Sequence, residues 1–169
     1  MNESHTVRVM VCGNTDRTDD GAAVRAVGVL RQRLDADRRR DVHIERCGQL
    51  DILHLLDVPA GQAVIIVDAA VGVRAGRVVT IPLDDLIDRP YGPGPHSSHA
   101  LPINQVLGVV NALTGAPLRG LFVGIGALDF SFGDGLSRPV SRALPKLVDA
   151  IAAAIDQFAP LRAEVAGKG

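Results

Sequence analysis

Apolar positions along the chain follow two rhythms. Four short runs are alternating or unbroken: Val7–Cys12 (VRVMVC), Val42–Arg46, Ala63–Val67 (AVIIV) and Leu121–Ile125 (LFVGI). Each has the length of a strand and is β-branched or apolar enough to be one. Gly13-Asn14 stops the first run, whereas Gly61 and Asp68 bracket the third. The unbroken apolarity of that third run predicts a central strand buried on both faces. A weaker pattern over Arg77–Ile81 predicts an antiparallel strand near an edge.

Between the runs the spacing becomes helical. Val24, Val27, Leu30 and Leu34 predict a helix from Asp20 to Asp37, with Asp19 or Asp20 as a cap and Arg38, Arg39 and Arg40 as its solvated basic end. Gln49–Leu56 reads as a short helix, and the Pro- and Gly-rich stretch Pro82–Pro95 as a mobile loop. Ser98 is the expected cap of a helix through Leu113, with Pro102 in its first turn, Leu101, Val106, Val109 and Val110 facing inward, and Gly115 as its stop. Ser137 caps a last helix to Phe158, with Pro139 early and Pro145 as a kink. The final ~8 residues read as frayed. Strands alternating with helices through right-handed crossovers predict a three-layer α/β sandwich: a mostly parallel central sheet flanked by helices.

Composition narrows the function. The 169 residues, 47% of them hydrophobic, suit one sizeable core, so residues 1–169 are read as a single domain. Lys and Arg number 18 against 19 Asp and Glu, so no overall field draws nucleic acid or an anionic membrane. With four Phe, one Tyr and no Trp, stacking platforms for bases are lacking as well. No apolar stretch approaches the ~20 residues that span a bilayer. Two cysteines, Cys12 and Cys47, and no secretory leader pattern point to a reduced, cytoplasmic protein.

In open parallel sheets ligands gather beyond the carboxyl ends of the strands. Three polar groups are expected there: the loop GNTDRTDDG with Asp19 and Asp20, Asp68 after the third strand, and HSSH with His96 and His99. Two carboxylates and an imidazole from three loops would make a mixed oxygen and nitrogen metal site, suited to nickel or zinc among others. They would serve equally as an acid/base set. Taken singly each has a plainer role: a helix cap for Asp19 or Asp20, a turn former for Asp68, a solvated histidine for His99. Cys12 could be a nucleophile beside a helix N-terminus, or a small core residue at the end of an apolar run. The loop lacks the spacing G-x-G-x-x-G, and its aspartates would repel a phosphate.

Four blocks in order, VMVCGNTDRTDDG, then CGQLDILHLL with VIIVDAAVG and AGRVV, then SSHALPINQVL, then GLSRPVSRALPKLVDAI, resemble the hydrogenase maturation endopeptidases. The resemblance runs from Val7 to about Ile155. It implies a phosphorylase/hydrolase-like α/β fold and an aspartic-type or metal-dependent endopeptidase. Such an enzyme removes the C-terminal peptide of a nickel-iron hydrogenase large-subunit precursor once nickel is loaded. By motif position, Asp20, Asp68 and His99 are the residues that would engage nickel carried by that substrate and take part in catalysis. The chain departs from the family pattern at Asp16, at Ala23, and at Gly124-Ile125-Gly126-Ala127, where the family has Gly-Ile-Glu-Pro. That altered loop motivates one alternative, a non-catalytic accessory protein that binds the precursor or its metal centre on the same fold. A metal-independent hydrolase for a small molecule in the same cleft is a third reading.

Overall fold

The protein is described by a computed structural model over residues 6–88 and 102–159. In chain order these form β1 (Val7–Cys12), a 3-10 turn (Thr18–Gly21), α1 (Ala22–Arg33), α2 (Ala36–Asp41), β2 (Val42–Gly48) and α3 (Ile52–Leu56). There follow β3 (Ala63–Ala70), β4 (Val78–Pro82), α4 (Leu83–Ile87), α5 (Ile103–Thr114), β5 (Gly120–Gly126) and α6 (Arg138–Phe158). The strands form one sheet in the order β2-β1-β3-β5-β4. All pairings are parallel except β4 against β5, which is antiparallel and puts β4 at an edge.

Alternation along each strand divides the core in two. Val7, Val9, Val11, Ile65, Val67, Val123 and Ile125 face α1 and α6. Met10, Cys12, Val64, Ile66 and Phe122 face the other way, toward α3, α4 and α5. Every residue of β3 is buried, as an unbroken apolar run in the middle of a two-sided sheet requires. The three layers, the parallel centre and the antiparallel edge thus match the expectation from the sequence. Among the described residues no helix is long and apolar enough to cross a membrane.

Several local expectations are corrected. The long first helix is two: Leu34 is extended, and Asp35 starts α2 by accepting the Arg38 N–H at 2.8 Å. Arg38 is therefore not part of a solvated basic end. Its side chain is buried and bonds the Asp156 carboxylate and the Ala159 carbonyl, tying α2 to the end of α6. The stretch after β4 opens with α4, where Leu83 and Leu86 reach the core, so Pro82–Ile87 is not a loop. Helix α5 is described from Ile103, with Pro102 at its cap position. Ser98 and Leu101 themselves lie outside the described residues, as do residues 89–101 and 160–169 generally. Val106 and Val110 point inward while Val109 is exposed. Gly115 ends the helix at φ +71°, a left-handed conformation that suits glycine. Pro145 lies within α6 without ending it.

Candidate active site

The loop after β1 is shaped by Gly13. Its φ is +107°, and a Cβ there would stand 2.0 Å from the Asp20 carbonyl oxygen, so only glycine allows this approach. The Gly13 N–H donates to the Gly48 carbonyl at 2.7 Å, and the Asn14 N–H to Asp20 Oδ2 at 2.9 Å. Asn14 Oδ1 in turn accepts the Asp16 N–H at 2.9 Å, closing an Asx turn. The chain then enters the 3-10 turn that carries both acids, Asp19 and Asp20, in buried positions.

Asp68 is the sixth residue of β3 and is fully buried, with Oδ1 accepting the Ala69 N–H at 2.8 Å. It lies inside the strand, two residues before its end at Ala70, and not in a loop after an end at Val67 as the sequence led us to expect. The parallel register Val11 to Val67 and Cys12 to Gly48 places Cys12 between the ends of β2 and β3. Both Asp20 and Asp68 act on this thiol. A hydrogen bond to Cys47, burial, and the charges of Asp68, Cys47 and Asp20 hold Cys12 well above the ordinary thiol pKa. Cys47 is lowered by that same hydrogen bond. Cys12 is thus a protonated, buried neighbour of two carboxylates, which answers the nucleophile reading in favour of a core residue.

Asp20 also faces a cleft of about 540 Å³ lined by Asn14, Arg17, Arg46, Gln49 and Phe130. Arg17 stacks over the Phe132 ring, 4.4 Å from its centroid. The predicted site residues therefore divide as follows. Asp20 and Asp68 both come within electrostatic reach of Cys12, Asp20 at the cleft and Asp68 beneath the surface. His99, with His96, lies outside the described residues.

Asp19 does not cap a helix of its own segment. Its Oδ2 accepts the N–H groups of Leu128 and Asp129 at 2.8 and 3.0 Å and the Ser137 hydroxyl at 2.8 Å, and its Oδ1 accepts the Ser137 N–H at 2.7 Å. One carboxylate so binds the loop before α6 to the turn holding Asp20. Ser137 gives its hydroxyl to Asp19 rather than to its own helix. The only sequence signal for this role was the excess of polar and glycine residues over 129–137, whose backbone N–H groups need acceptors.

The departure at Gly126 has a local cause. A Cβ at that position would lie 2.1 Å from the Arg74 carbonyl oxygen and 2.6 Å from that of Val73. The turn between β3 and β4 is laced to it, Gly126 N–H to Arg77 oxygen at 2.9 Å and Gly76 N–H to Gly126 oxygen at 2.8 Å. The space a side chain would take is filled by backbone.

A three-layer α/β fold with buried carboxylates near the carboxyl ends of its central strands belongs to the class in which enzymes place their sites on that rim. Residues 31–154 match the HycI family, described as hydrogenase maturation protease, and the chain belongs to that family. The fold is similar to that of the hydrogenase maturating endopeptidase HybD from E. coli, with a TM-score of 0.69 and 24% identity over 89% of this chain and 92% of that one. It is also similar to the [NiFe] hydrogenase maturation protease HybD from Thermococcus kodakarensis (TM-score 0.65, 21% identity, 88% and 98% covered). The HycI protease from Thermococcus kodakarensis KOD1 gives a TM-score of 0.64 at 20% identity, with 90% and 94% covered. Among curated sequences none matches this chain.

Proposed function

We propose that this protease removes the C-terminal peptide from the precursor of a hydrogenase large subunit in the cytoplasm, after nickel has been loaded into that precursor, and that Asp20, Asp68 and His99 engage the substrate-borne nickel. The observation that carries the reading is the pair of buried carboxylates, Asp20 in the turn after β1 and Asp68 in β3, with Asp20 on the cleft. The donor chemistry fits. Nickel held by substrate thiolates keeps open positions that carboxylate oxygen and imidazole nitrogen can fill, so a precursor lacking the ion would lack the feature the site recognises. The chain orients the acids in advance: the Asn14 N–H holds Asp20 Oδ2, and the Ala69 N–H holds Asp68 Oδ1. Arg17, Arg46 and Phe130 offer charge and an apolar face to the peptide strand on either side of the bond to be cut.

The test incubates the purified chain with nickel-loaded and nickel-free precursor and reads the precursor's intact mass. A defined C-terminal loss with nickel only, abolished in Asp20→Ala, Asp68→Ala and His99→Ala proteins that remain folded, is the expected result. Precursor that binds but is never shortened would overturn the reading in favour of an accessory protein. Cleavage unaffected by two of the three substitutions would refute the assignment of the site.

A further inference from the structure

A second group of ligand-bearing side chains lies apart from Asp20 and Asp68. Strand β2 reads His43-Ile44-Glu45-Arg46-Cys47, and the period of two puts His43, Glu45 and Cys47 on one face. His54 comes to meet them from α3. One ligand atom each of Glu45, Cys47 and His54 lies within 4.8 Å of the others, and all three residues are partly buried. We infer that Glu45, Cys47 and His54 form a second metal site, for a borderline divalent transition ion such as zinc(II), with an open fourth position.

The chemistry of the set supports the choice. Thiolate, imidazole and carboxylate together suit zinc and its neighbours and do not suit calcium or magnesium, which take oxygen ligands. Small side-chain rotations bring ligand atoms from this spacing to the about 3.5 Å separation of a tetrahedral zinc shell. A supporting group is already in place. Asp51 Oδ1 is 3.0 Å from His54 Nδ1, close enough to accept an Nδ1–H if the other ring nitrogen ligates a metal. That same nitrogen accepts the Asp51 backbone N–H at 3.1 Å, so ligation through Nε2 would move the ring proton to Nδ1 and give up this bond of the capping box. The Cys47 proton leaves to solvent.

The surrounding charge is mixed but favours a cation. Arg8 approaches Glu45 at 3.8 Å and Asp57 at 3.6 Å, and His43 lies 3.9 Å from Glu45. Glu45, Asp51 and Asp57 outnumber Arg8, and Arg8 keeps Asp57 when Glu45 turns to the ion. Metal here would bind the edge strand β2 to α3, on the opposite side of Cys12 from Asp68.

The test titrates the reduced full-length chain with cobalt(II) at neutral pH and follows the near-ultraviolet thiolate-to-cobalt absorption. A band that saturates at one equivalent and is displaced by zinc(II) is expected. Cys47→Ser should abolish it. His54→Gln, which keeps a side chain able to complete the capping box, should weaken binding at least tenfold, and Asp51→Asn by 10- to 100-fold. Asp68→Asn should leave it unchanged, so the result is separable from the fate of the peptidase reading. Far-ultraviolet circular dichroism of each variant shows whether the fold is retained. No thiolate band, a band that survives Cys47→Ser, or one lost in Asp68→Asn but kept in His54→Gln, would overturn the proposal.

Discussion

Replacing Asp19 by alanine removes the acceptor of four hydrogen bonds that join the turn of Asp20 to residues 128, 129 and 137. Hydrogen bonds to a charged group contribute about 1.5–3 kcal/mol each, but four on one carboxylate do not add. Leu128 is exposed and Asp129 and Ser137 are half-buried, so water can satisfy part of what is lost. A cost of about 3–4 kcal/mol is expected, which for a chain of this size lowers Tm by about 6–16 °C. Asp19→Asn should cost less, about 1–3 kcal/mol, because a flipped amide can still present one oxygen to the three donors now on Oδ2. Urea unfolding followed by circular dichroism gives the free energies. Hydrogen exchange at the amides of Leu128, Asp129 and Ser137 shows whether the loss is local. The reasoning fails if Asp19→Ala costs under about 1 kcal/mol, a surface-like value, or if Asn is as damaging as Ala.

Gly126→Ala should destabilise by about 1–3 kcal/mol through overpacking against the Arg74 and Val73 carbonyls, and should make the 73–77 turn newly sensitive to limited proteolysis. The raised pKa of Cys12 favours its neutral form in the folded state, so its contribution is complete below the unfolded thiol value of about 8.5 and is lost as pH rises toward the folded one. Stability measured by urea should therefore fall on the alkaline side, and Cys12→Ala should flatten that fall relative to the parent. Arg38→Ala should cost about 1–3 kcal/mol, and Arg38→Ala with Asp156→Ala should be little worse than Arg38→Ala alone, since Asp156 is largely exposed once unpaired. Equal additive losses in that double-mutant cycle would show that the pair is not coupled.

Much of this architecture is written in the apolar pattern. Ala63–Val67 reads as a central strand from its unbroken apolarity, and Gly13 and Gly115 mark a turn and a helix end because their positive φ suits glycine. That Asp20 and Asp68 would stand near the carboxyl ends of β1 and β3 was legible from the two apolar runs, although β3 continues through Asp68 to Ala70. The remainder depends on contacts between distant segments. Nothing near Arg38 in sequence signals that Asp156 and Ala159 will enclose it, and helical spacing carried through Leu34 hid the break. The sequence left open which of the acidic pair would be bound up in backbone contacts; Asp19 is fixed by donors from distant residues and Asp20 lines the cleft. The expected second strand stopped at Arg46, whereas β2 runs to Gly48, and the proximity of Glu45 and Cys47 to His54 depends on where α3 packs.

The tethers at Asp19 and Arg38 also bear on the order in which the molecule assembles. They join the first forty residues to positions 118 and 121 further along, separations that close late because long loops are entropically costly to shut. On a ribosome adding about 5–20 residues per second, β1 and α1 would wait several seconds before α6 emerges to receive them. During that interval the turn holding Asp20 lacks its anchorage, so Asp20 gains its fixed position only when the last helix docks. Latency in a nascent protease would then come from chain connectivity itself, with no separate inhibitory segment required.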